Sequence, residues 1–242
     1  SFVLLHYTAA LAWTFADTGL SLGGSLSYAD ASLETTRARN LNREEALVFD
    51  DGSIQEGRVW LRTQEAKLNG SLGLTLDRER FLWSANWRAG YTLRMSGTLR
   101  QAFATQTPSD VASHVDVTLP HVITTAFTLR FPKVELTPTL DYSRWSTLVR
   151  TDLLSNTDPP ELLLHTAREA HDTLSARVLV SWLVRPTWAL GFSAGVDPSA
   201  IPERTNEPGM SDALKFPVGV GVTWDPDAPV RLRLSYTEDI YT

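Results

Sequence analysis

Seven cations, Lys67, Arg88, Arg94, Arg130, Arg177, Arg231 and Arg233, fall on the polar positions of alternating segments, against three carboxylates, Glu65, Glu135 and Asp141. A guanidinium grips a carboxylate through two parallel hydrogen bonds, and the grip strengthens where water is scarce. Arg88, Arg94, Arg177, Arg231 and Arg233 are therefore candidate contacts for an anionic head group such as that of a fatty acid. The competing role is bracing, in which these cations pair with neighbouring strands or with a plug segment. Leu82, Val122, Leu179 and Leu183 interrupt the same polar positions. They offer an apolar strip for an alkyl chain, or a surface for a plug to pack on. Enzymatic chemistry has little support. The five histidines (His6, His114, His121, His165, His171) are scattered, and neither G-x-S-x-G nor H-E-x-x-H occurs. His165 and His171 share a stretch with Glu161, Glu169 and Asp172, but without a recognised cation-ligand spacing. No catalytic residue, cofactor or metal is expected.

These side chains must be held by strands. Phe81, Trp83, Ala85, Trp87, Ala89, Tyr91, Leu93 and Met95 alternate with Ser84, Asn86, Arg88, Gly90, Thr92, Arg94 and Ser96. Successive side chains of a strand point to opposite faces, so one face is oily and the other wet. The same pattern recurs in five hairpins: 3–15 with 20–28, 67–76 with 80–96, 117–131 with 134–145, 174–184 with 188–196, and 216–224 with 230–236. Runs of this length suit a tilted strand crossing a bilayer. The expected fold is all-β, an antiparallel up-and-down transmembrane barrel with about ten strands present, forming one domain over residues 1–242.

Tight turns at 16–19, 77–79, 132–133, 185–186 and 225–228 alternate with long polar stretches at 31–59, 100–116, 148–172 and 197–215. Bacterial outer-membrane barrels place short turns in the periplasm and long loops outside, which assigns the two ends. Trp13, Phe15, Phe81, Trp83, Phe131, Trp182, Trp188 and Trp224 gather beside the tight turns, and Tyr7, Tyr28, Tyr91, Tyr142 and Tyr236 near the opposite ends. Two aromatic belts are what two lipid headgroup layers select. The expected surroundings are outer-membrane lipid or lipopolysaccharide, with hydrophobic small molecules as ligands and other subunits or a plug as further partners. A net charge of −6 without a basic stripe argues against nucleic acid. No eighteen-residue apolar run exists, which excludes a helical span. Pro120, Pro138 and Pro217 lie inside strands, where a missing N–H marks a bulge, a strand end or an opening. A lipocalin-like soluble barrel would put the oily face inward and leave the belts unexplained.

Leu11–Phe15 through Leu20–Ala31, Thr118-Leu119-Pro120 leading to Asp141-Tyr142-Ser143-Arg144-Trp145, and Pro198–Arg204 followed by Phe216–Trp224 resemble stretches of the FadL/TodX-like outer-membrane transporters of long-chain fatty acids and aromatic hydrocarbons. The resemblance implies a fourteen-stranded barrel plugged by an N-terminal hatch, passing hydrophobic molecules through the lumen and sideways into the membrane. The hatch, the early strands with the kinked one, and the closing strand have no counterpart in this sequence. The residues present are thus expected to be an interior piece of a larger barrel, or a barrel whose remaining strands are supplied by another chain. A non-transporting barrel that anchors a secretion or surface complex is the alternative reading.

Overall fold

The computed structural model describes residues 2–38, 57–103, 107–206, 212–226 and 232–241. They form one antiparallel sheet of fourteen strands. In chain order these are β1 (Phe2–Thr14), β2 (Leu20–Ala38), β3 (Gly57–Asp77), β4 (Phe81–Arg88), β5 (Tyr91–Phe103), β6 (Ser109–Leu119), β7 (Val122–Arg130), β8 (Val134–Ser143), β9 (Arg150–Ser155), β10 (Leu162–Ala167), β11 (Thr173–Arg185), β12 (Trp188–Val196), β13 (Lys215–Trp224) and β14 (Leu232–Tyr241). Ten of them form an up-and-down path, β1-β2-β3-β4-β7-β8-β11-β12-β13-β14, and contain the five expected hairpins. Among the described residues no ladder joins β1 to β14, so closure of the wall is not seen.

The strand number is a correction. The expected strand at 80–96 is two strands, β4 and β5, and the expected strand at 117–131 is β6 and β7. Part of the presumed loop 148–172 is the β9–β10 hairpin, and strand residues also occupy parts of 31–59 and 100–116. Alternation and turn chemistry found the ten wall strands. The four others were hidden because their attachment to the sheet is long-range, β5 to β3 and β6 to β9.

Within the wall, register puts like with like. Leu72, Trp87, Ile123, Tyr142 and Leu174 form one row across five strands. Leu136, Val180, Phe192, Val220 and Tyr236 form another. Most of these side chains are exposed, Leu72 at 60% and Tyr236 at 63%, and the same face carries Leu11 at 87% and Leu234 at 74%. Exposed apolar surface on this scale is unstable in water and normal against lipid. The opposite face carries Ala10, Ala12, Gly23, Ser25, Ser71, Gly73 and Asn86, which with Leu11 and Gly24 line a hollow of about 290 Å³. The sheet therefore curves toward its polar face.

β4 and β5 both pair with β3, but out of step. Ser71 faces Arg88 and Gln64 faces Ser96, so seven steps on β3 oppose eight on the β4–β5 side. One extra residue turns every later side chain to the other face. Ala89 and Gly90 absorb it. Gly90 is required by close approach, because a Cβ there would lie 2.7 Å from the His121 backbone nitrogen and 2.8 Å from the Leu119 carbonyl. The neighbouring break, Pro120-His121, lies between β6 and β7. Pro120 thus marks a strand end.

Past this break the odd residues of β5 point inward. Leu93 and Met95, expected against lipid, are 0% exposed. They pack with Ala31, Leu61, Leu99, Val115, Leu153 and Leu163 into a core on the same side of the sheet as the polar hollow. Tyr91, expected in the outer aromatic belt, packs against this core instead. Burial of each large apolar side chain contributes roughly 1.5–3 kcal/mol, so the rim is held as a water-soluble domain is held. Gly97 sits at its centre between Thr63 and Ser113. A Cβ on Gly97 would come within 1.9 Å of the Arg62 carbonyl oxygen.

Candidate functional site

The concave face of the wall is built in rows, each one strand position apart on neighbouring strands. Nearest the tight turns, Arg130 pairs with Glu135 in register. Its guanidinium is 2.6 Å from Asp77 and 3.9 Å from Glu135, and it also donates to the Arg78 carbonyl at 3.0 Å. Arg130 is therefore a brace, tying the β3–β4 turn to β7.

The next row holds Leu82 and Leu179. Leu82 pairs with Thr128, Leu179 pairs with Thr137, and the two threonine hydroxyls are 2.9 Å apart. Strands sit about 4.8 Å apart, so roughly 14 Å separates the two leucines. They frame a threonine pair and do not form a continuous strip. Leu183 lies in a different row, with Ala189, Thr223 and Arg233. Arg177 shares a row with Thr75, Ser84, Ala126 and Thr139. Above it runs Asn86, Thr124, Asp141 and Ser175. Thr124 donates to Asp141 at 2.5 Å and Ser175 to Asp197 at 2.5 Å, which uses those acceptors within the wall. Arg88 stands highest, with Ser71, Val122 and Ser143.

Arg88, Arg177 and Arg233 differ from Arg130. Among the described residues none of the three makes a hydrogen bond or ion pair. They are spread over separate rows, so the face offers three single cationic points and no cluster. Arg231 lies outside the described residues. Arg94 is a correction. The shift at Ala89-Gly90 carries it to the face opposite the core, where it pairs in register with Asp116 and contacts His114 Nε2 at 3.1 Å. Arginine only donates, so Nε2 accepts and the proton of this imidazole sits on Nδ1, 2.7 Å from Asn156 Oδ1. Arg94 thus fastens the rim to the β9–β10 connection and is absent from the concave face. Lys67 is likewise engaged, donating to the Thr92 carbonyl at 2.7 Å.

The acidic and histidine groups of 148–172 do not converge. His165 pairs with Asp152 at 2.6 Å, Glu169 with Arg204, and Asp172 accepts from Tyr142 and from the Ser146 N–H. One assembly went unread in the sequence. Trp87, His121, Ile123, Tyr142, Arg144, Ser146 and Asp172 line a groove of about 590 Å³ on the apolar side of the wall. Its signal was present in the Tyr142–Trp145 motif and the outer belt, but the break that brings His121 onto Trp87 was not visible.

No protein-family model matches the chain, and no curated protein sequence does. Solved structures do. A Pseudomonas aeruginosa FadL homologue superimposes with a TM-score of 0.85 at 12% identity, over 100% of this chain and 60% of that one. The TodX deltaS2S3 mutant monoaromatic hydrocarbon channel gives 0.76 at 14%, over 98% and 64%. The CymD monoaromatic hydrocarbon channel gives 0.67 at 13%, over 99% and 69%. The chain spans about 60% of the length of the FadL homologue it matches. The resemblance read from the sequence is thus a resemblance of fold: this chain has the fold of the larger part of a FadL/TodX/CymD-type barrel.

Proposed function

We propose that this chain forms wall of an outer-membrane channel for small hydrophobic molecules, fatty acids among them. The observation that carries the reading is the division of one curved sheet into two chemistries: exposed apolar rows on the convex side and rows of Ser, Thr, Gly, Asn and Arg on the other. That division needs lipid on one side and a solvated path on the other. The fold shared with a FadL homologue and two monoaromatic hydrocarbon channels supports the same ligand class. No catalytic step is part of the proposal. The protein positions and admits, and the gradient of its ligand does the rest.

Arg88, Arg177 and Arg233 are the proposed head-group contacts, each a cation without a protein partner among the described residues. Leu82, Leu179 and Leu183 interrupt the polar rows and supply apolar contact beside them. Liposomes holding the purified protein are expected to take up a labelled fatty acid faster than empty vesicles; equal rates refute the channel. A charged hydrogen bond contributes about 1.5–3 kcal/mol, so Arg177→Gln is expected to weaken carboxylate binding roughly ten- to a hundredfold. An uncharged aromatic hydrocarbon should be unaffected by that change. If both ligands respond alike, Arg177 is a brace and not a contact.

A further inference from the structure

The groove on the convex side has features that the passage of molecules through the hollow leaves unused. Trp87, Ile123 and Tyr142 belong to one lipid-facing row, and the groove opens at the loop end of that row, where β8 ends at Ser143 and β7 begins at Val122. The Trp87 and His121 rings stack at 5.9 Å with 9° between their planes. The Gly90 N–H donates to His121 Nδ1 at 3.0 Å, which leaves the ring proton on Nε2. The Arg144 N–H donates to the His121 carbonyl at 2.9 Å and fixes the two residues side by side.

Asp172 is the one carboxylate lining the groove; it is ionised, and both of its oxygens already accept hydrogen bonds from the protein. It accepts from the Tyr142 hydroxyl, and from the Ser146 backbone N–H at 2.8 Å. These bonds, with a further one from the Ser146 hydroxyl, hold its carboxyl below the usual carboxylate range despite some desolvation, and Arg144 adds a smaller favourable field. Among the described residues the Arg144 guanidinium itself has neither a hydrogen bond nor an ion pair. A guanidinium and an imidazole N–H therefore line one groove at the loop end of the wall, above an oily row and beside a stacked pair of rings. That combination fits an anion carried on acyl chains: the oxygens of a phosphate take the fork of Arg144 while the chains lie along Ile123, Leu140 and Leu174.

We propose that this groove binds the phosphorylated head of a glycolipid in the outer leaflet. The inference rests on the outer-membrane placement but not on transport. The experiment is native mass spectrometry of the detergent-extracted protein titrated with bisphosphorylated lipid A, with the same lipid dephosphorylated, and with inorganic phosphate. Bisphosphorylated lipid A is expected to bind, the dephosphorylated form at least tenfold more weakly, and inorganic phosphate not detectably. Arg144→Gln should lose at least tenfold in lipid A affinity, and Arg144→Lys should recover part of it. Arg185→Gln, at the opposite end of β11, should match the parent protein. Equal binding by Arg144→Gln, or equal binding of the dephosphorylated lipid, overturns the proposal. Fatty acid uptake by Arg144→Gln liposomes separates the two readings: retained uptake with lost lipid A supports the groove and leaves the channel standing, and retained lipid A overturns the groove whatever the uptake.

Discussion

The wall and the rim of this protein are made from the same residue types in the same alternation, yet they are stabilised by different surroundings. In the wall, Leu11 and Trp87 stand exposed on the convex face, and the concave face carries Ser, Thr, Gly and Arg. In the rim, Leu93 and Met95 are sealed by Leu61, Val115, Leu153 and Leu163 from strands of the same sheet. In the proposed placement, lipid covers the apolar rows of the wall. The rim covers its own. Alternation reports that a strand has an apolar face, but what lies against that face is decided by register, and here one extra residue at Ala89-Gly90 decides it.

The contrast can be broken most strongly at Gly97. Gly97→Val puts a side chain where the Arg62 carbonyl already sits, so the rim strands must separate. The loss is expected to exceed about 4 kcal/mol and to be local. Limited proteolysis should cut 91–119 while the heat-modifiable gel shift of the wall persists; an intact rim refutes the packing described. A smaller effect follows from Leu93→Ala, expected to cost the rim about 2–5 kcal/mol through the cavity it leaves. Leu11→Ala should leave protease resistance of the rim unchanged, because Leu11 faces outward from the wall. Thr63→Val sharpens the comparison from the other side. The Thr63 hydroxyl is buried without a hydrogen-bond partner among the described residues, so its replacement by a methyl should be neutral or stabilising by up to about 1 kcal/mol.

The smallest effect is a pH dependence at the loop end of the wall. The folded pKa of Asp172 is depressed, first by the Tyr142 hydroxyl and then by Ser146. Its contribution is therefore fully present above the ordinary carboxylate value of 3.8 and is lost as the pH falls through the lower, folded value. Acid titration below about pH 4 should loosen the Tyr142–Ser146 junction, and Asp172→Asn should remove that acid step. An unchanged acid profile in Asp172→Asn refutes the assignment.

The ten wall strands and four of the expected tight turns were legible because alternation over eight or more residues and turn formers such as Pro132-Lys133 and Arg185-Pro186 act locally; the fifth, at 225–228, lies partly outside the described residues. The fold resemblance was legible in motifs of which Leu11–Thr14, Leu20–Ala31, Asp141–Ser143 and Phe216–Trp224 lie on those strands. What stayed hidden depends on long-range register. Nothing in the run Trp87 to Met95 announces that its odd residues change sides after Arg88, so Arg94 was placed in the hollow and Leu93 against lipid. Of the cations read as ligand contacts, Arg88, Arg177 and Arg233 do lie on the concave face. Arg130, read as luminal, is tied to Asp77, a partner supplied by a neighbouring turn and invisible in the strand's own sequence.

The central claim is that lipid meets the convex face of the wall and that side chains exchange faces at Ala89-Gly90. The chain contains no cysteine, so single cysteines carry spin labels without background. Labels at positions 87, 88, 93 and 94 in bilayer-embedded protein can be probed with oxygen, which concentrates in lipid, and with a water-soluble nickel chelate. The account predicts oxygen access at 87, nickel access at 88 and 94, and neither at 93. Oxygen access at 93 equal to that at 87 would contradict it, because the alternation would then run through the break unchanged.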